Sequence, residues 1–94
     1  MQKREVKPGR PRGATSFDQG VATAFGEVVR EIRKTKGLSQ EGLANAAGIE
    51  RSHMGKIERG LHLPSLVMVM NLAEALGMRP GKIIDQTMER LVKG

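Results

Sequence analysis

Four glycines, Gly37, Gly48, Gly60 and Gly77, each follow a run of apolar residues spaced three and four apart. Glycine enters the left-handed backbone region without steric cost, which makes it the usual residue just past a helix end. A chain punctuated in this way is confined to short helices that must pack on one another. The first stripe is Phe17, Val21, Ala24, Phe25, Val28 and Ile32, with Ser16 and Gln19 spaced as a capping box before it. Ser39 can cap a second, short helix burying Leu43, Ala44 and Ala47. The third segment, "GIERSHMGKIERG", runs from Gly48 to Gly60. Pro64 and Ser65 open a fourth, with Leu66, Val69, Met70, Ala73 and Leu76 expected on one side. Pro80 suits the first turn of a fifth, in which Ile83, Ile84, Met88, Leu91 and Val92 form an apolar stripe. No stretch alternates with period two over a strand's length. The expected fold is all-α, with five helices over residues 16–94.

Residues 1–15, "MQKREVKPGRPRGAT", contain too little apolar surface for a core and read as a flexible basic arm. The chain carries a formal net charge of +6, and the first thirteen residues hold five cations against Glu5 alone. Such an excess favours polyanionic partners. With Phe17 and Phe25 the only aromatics, stacking on splayed single-strand bases has almost nothing to work with. There are no cysteines, so disulfides and thiolate metal sites are excluded. No apolar run approaches the roughly 20 residues that span a bilayer, and a soluble, cytoplasmic protein without a membrane partner is expected.

The third segment carries the functional signal. Met54 and Ile57 face inward and Ile49 can plug the preceding turn, while Arg51, Ser52, Gly55 and Lys56 share the opposite face. A short helix, a glycine turn and a second helix describe the helix-turn-helix unit. Such a helix fits the major groove of duplex DNA, about 12 Å wide, where base edges present distinguishable donors and acceptors. Arg51 is the best base reader on physical grounds, because its planar fork can grip two guanine acceptors. Other chemistries fare poorly. His53 and His62 lack a carboxylate at ligand spacing, so no metal is expected. "GMRPGK", Gly77 to Lys82, lacks the strand context and the Ser or Thr of a phosphate loop. No cofactor is implied, and no nucleophile with a base and an orienting acid suggests an enzyme.

The run from Leu38 to Met78, "LSQEGLANAAGIERSHMGKIERGLHLPSLVMVMNLAEALGM", resembles the helix-turn-helix domain of the Cro and phage-repressor type. The likeness extends from Arg33 to about Ile84. It implies that Arg51, Ser52 and Lys56 reach base edges and that Gln40 contacts the DNA backbone while bracing the recognition helix. It also implies that Arg33 and Glu58 form a structural pair with the arginine close to a phosphate, and that Arg59 and His62 lie at backbone positions. Four residues depart from the family pattern. Gly42 stands where a glutamate often completes a capping box with Ser39, at a helix cost of about 1 kcal/mol against alanine. Glu50 occupies the start of the recognition helix, where its charge suits the helix dipole but repels phosphate unless it reads a cytosine or pairs with Arg51. Val67 and Met68 are apolar where polar residues are usual.

Val67 and Met68 cannot share a stripe with Val69 and Met70 unless the fourth helix is buried nearly all round. The alternative is a subunit contact formed by Val67, Met68, Ile84, Met88 and Leu91. A two-fold homodimer would set two recognition helices about 34 Å apart, one DNA turn, and would call for a near-palindromic site. In the arm, "PGRPRG" resembles the core of an AT-hook. Lys7, Arg10 and Arg12 either enter a narrow minor groove or add affinity without sequence choice through counterion release. The expected function is a sequence-specific transcriptional regulator of double-stranded DNA, of bacterial or phage type. The alternative is an antitoxin-type protein that binds DNA and also neutralises a protein partner.

Overall fold

The computed structural model describes residues 17–93. Among them are five helices and no strand: α1 (Gln19–Thr35), α2 (Gln40–Ala47), α3 (Arg51–Glu58), α4 (Leu66–Leu76) and α5 (Pro80–Lys93). No described helix is long and apolar enough to cross a membrane. The arm, with Lys7, Arg10 and Arg12, lies outside the described residues, as does Ser16. The observed cap of α1 is Asp18, whose carboxylate accepts from the Val21 N–H at 3.0 Å. Gln19, expected to complete a capping box, instead donates to Thr23 Oγ1 and to the Gly60 carbonyl, both at 2.9 Å.

Gly37, Gly48, Gly60 and Gly77 all have φ between 69° and 74°, a conformation that β-carbon sterics disfavour in other residues. Ser39 and Ser65 cap α2 and α4 by accepting from the N–H groups of Gly42 and Met68. Gly42 lies close under its cap. A β-carbon there would stand 3.0 Å from the Ser39 hydroxyl, which sits over the residue to accept its N–H at 2.9 Å.

α1 packs on α3 and α5, α2 on α3 and α4, and α4 on α5. Their shared core consists of Phe25, Val28 and Val29, then Leu43, Ala44 and Ala47, then Ile49, Met54 and Ile57, then Val69, Leu72, Ala73 and Leu76, and finally Ile83. One expected stripe is displaced. α4 buries Val69, Leu72, Ala73 and Leu76, whereas Leu66 and Met70 are 75% and 51% exposed. Because α4 is apolar on several sides, its sequence admits more than one stripe, and packing against α2 and α5 selects among them. α5 turns Ile83 and Thr87 inward and leaves Ile84, Met88, Leu91 and Val92 exposed. Thr87 is tolerated there because its hydroxyl donates to the Ile83 carbonyl at 2.9 Å. Arg90, one turn on, donates to Glu27 at 3.1 Å and Glu31 at 2.7 Å on α1. The hydrogen bond to Glu31, then that to Glu27, raises the Arg90 pKa above its ordinary value.

Candidate nucleic-acid interface

The turn between α2 and α3 is three residues long, Gly48 to Glu50. The Gly48 N–H returns to the Asn45 carbonyl at 3.2 Å and the Ile49 N–H to the Ala44 carbonyl at 2.8 Å. These bonds close the last turn of α2, and Ile49 is buried. The following helix therefore starts at a fixed point on the core. Met54 and Ile57 are fully buried on its inner side. Arg51, Ser52, Lys56 and Arg59 are exposed, and together with Gln40 and Gly55 they line one shallow groove. The three expected base readers thus stand side by side on the solvent face of α3.

Beneath that groove lies a buried ionic knot. Arg33 Nε donates to Glu58 Oε2 at 2.7 Å and Nη2 to Oε1 at 3.1 Å, a two-point pairing of planar groups. Arg33 Nη1 donates to the Leu38 carbonyl at 2.9 Å, and Gln40 Nε2 donates to Glu58 Oε1 at 3.0 Å. One carboxylate on α3 is therefore held by α1 and α2 together. Arg33, expected close to a phosphate, is only 9% exposed and aims Nε, Nη1 and Nη2 at protein acceptors. It supports α3 from beneath, because the buried Glu58 carboxylate requires a compensating charge.

Close approach matters at two glycines. A β-carbon on Gly55 would lie 3.1 Å from Arg59 Nη1 and 3.4 Å from Gln40 Oε1. Glycine there lets both side chains lie across α3. A β-carbon on Gly26 would collide with the carbonyl oxygens of Ile57 and Glu58, so α1 meets the end of α3 backbone to backbone. Sequence reasoning missed Gly26, although a glycine inside a helical stripe is itself a signal of close packing.

His62, expected at a backbone position, is exposed in the loop after α3, and its ring meets that of His53 edge-on with centroids 4.2 Å apart. Among the described residues, no group of three or more His, Cys, Asp or Glu is placed to hold a metal ion. Of the residues expected at a subunit contact, Val67, Ile84, Met88 and Leu91 are exposed. Met68 instead is half-buried against the core, because it lies at the edge of the α4 stripe that packs inward.

A family model described as a helix-turn-helix domain matches residues 24–83. The HTH-type transcriptional regulator YazB of Bacillus subtilis, itself uncharacterised, is 44% identical over 57 residues, covering 61% of this chain and 83% of that protein. The control protein C.BamHI of Bacillus amyloliquefaciens is 39% identical over 64 residues, covering 67% and 79%. The crystal structure of the restriction-modification controller C.AhdI from Aeromonas hydrophila superposes with a TM-score of 0.65 at 45% identity, covering 66% of this chain and 94% of that one. C.Esp1396I, solved as a tetramer with its natural 35 base-pair operator, shares the fold, with a TM-score of 0.70, 19% identity and coverage of 77% and 95%. With a matching model over most of its length and a short glycine turn setting α3 on the core, the chain belongs to the helix-turn-helix domain family, of the Cro and phage-repressor type that its sequence resembles.

Proposed function

We propose that this chain is a sequence-specific transcriptional regulator that binds a near-palindromic operator as a homodimer. Arg51, Ser52 and Lys56 read base edges in the major groove, and Gln40, Arg59 and His62 contact phosphates. The observation that carries this reading is the groove formed by Gln40, Arg51, Ser52, Gly55, Lys56 and Arg59, set above a buried support that fixes the helix presenting it. The transcriptional regulators and controllers among its relatives support the same reading, and so does the operator complex of a protein with its fold.

The homodimer joins through the exposed face of α5, formed by Ile84, Met88 and Leu91, together with the exposed Val67 of α4. Lys7, Arg10 and Arg12 add phosphate or minor-groove contacts from the arm. Selection of bound sequences from a random duplex pool tests the proposal. A palindromic consensus is expected from the parent chain. A folded Arg51→Ala, Lys56→Ala variant should lose about tenfold or more of its preference for that site, given about 1–3 kcal/mol of discrimination per good base contact. Enrichment of no sequence by the parent, or equal preference in the variant, overturns the reading.

A further inference from the structure

We infer that Glu50 reads the exposed amino group of a cytosine and so sets one position of the operator. This inference rests on the DNA-reading function proposed above. Glu50 is the N-cap of α3, with φ −60° and ψ 142°, yet its side chain makes no capping hydrogen bond. The caps of α1, α2 and α4, by contrast, each use a side-chain oxygen for that purpose. Glu50 is exposed, and among the described residues neither it nor Arg51 joins an ion pair. Of the two roles open to Glu50 in the sequence, pairing with Arg51 is therefore absent.

What remains is an unengaged carboxylate at the entrance of a helix whose outer face holds Arg51, Lys56 and Arg59. Against phosphate it would be repelled. On the major-groove edges of the bases, guanine presents only acceptors and thymine an acceptor with a methyl group. Adenine offers a donor, but directly beside its N7 acceptor, which suits an amide better than an acceptor-only carboxylate. Cytosine alone presents its N4 amino group with no competing acceptor on that edge. Arg51, a pure donor, has the opposite preference, so neighbouring residues divide two base types between them.

The test repeats the random-duplex selection with the full chain carrying Glu50→Gln or Glu50→Ala. Neither change removes a capping bond, so thermal melting should stay near the parent's. The glutamine variant should exchange cytosine for adenine at one position per half-site by about tenfold, with the remaining positions retained. The alanine variant should lose preference at that position alone. Replacing that cytosine with N4-methylcytosine should weaken the parent and leave the alanine variant unaffected. An unchanged consensus with tighter overall binding in both variants overturns the inference and makes Glu50 merely a phosphate-repelling charge. A parent chain that selects no consensus overturns the operator reading itself, and this inference with it.

Discussion

Around α3 the apolar residues Ile49, Met54 and Ile57 are buried, while Arg51, Ser52, Lys56 and Arg59 face solvent. Along α5 only Ile83 of the large apolar side chains is buried. Thr87 is buried and Arg90 reaches α1, while Ile84, Met88, Leu91 and Val92 are exposed. The contrast teaches that two kinds of surface are built on one small core. At α3 the outer charge is left free and the inner charge is neutralised by Arg33 and Glu58. At α5 Ile83 and Thr87 hold the inner side, the Thr87 hydroxyl being satisfied within its own helix, and the large apolar side chains Ile84, Met88, Leu91 and Val92 are left on the outer one.

The largest effect should come from breaking the inner compensation at α3. Glu58→Ala leaves Arg33 buried without its partner, a change that typically costs about 3–5 kcal/mol. For a small domain this approaches the total stability, and urea denaturation should show a much lower midpoint or no cooperative transition. An unaltered midpoint would mean that the charge at α3 is not compensated from within. The next effect sharpens the other half of the contrast. Met88→Glu places a charge on the α5 face and should weaken self-association about tenfold to a hundredfold, from roughly 1.5–3 kcal/mol of lost apolar burial. Sedimentation is the measurement, and an unchanged dimer would move the interface off this face. The smallest effect belongs to Arg90→Ala. Its partners Glu27 and Glu31 are 53% and 66% exposed at the side chain, and solvent screening holds such pairs to about 0–1 kcal/mol. A melting temperature shifted far beyond that range would make α5 depend on its ion pairs and not on Ile83.

The helix ends were legible in the sequence because they are local. Gly37, Gly48, Gly60 and Gly77 need only their own backbone to stop a helix, and Ser39 and Ser65 need only the N–H groups three residues on. The inner face of α3 was legible too, since Met54 and Ile57 are its only large apolar side chains. The inner face of α4 and the place of Thr87 on α5 were not. Leu66, Val67, Met68, Val69 and Met70 are consecutive, so periodicity offers no asymmetry from which to choose. Leu72 became core while Met70 became surface because of where α2 lies. Thr87 entered the core through a hydrogen bond to its own helix that composition cannot reveal. Gly26 and the burial of Arg33 depend on Ile57 and Glu58, residues far along the chain, and no local window spans that distance. Of the groove, the shared face of Arg51, Ser52, Gly55 and Lys56 was evident beforehand, but that Gln40 lines the same surface follows only from the packing of α2 on α3.

The Glu58 carboxylate is gripped at once from α1 and α2, which leaves α3 little freedom to tilt. In the proposed complex, a helix held this way would transfer the burden of adjustment to the nucleic acid. Groove width and helical twist in the base pairs between the half-sites of the proposed operator would then weigh on affinity even where no side chain touches them, because the duplex, and not the protein, would have to absorb any mismatch of shape.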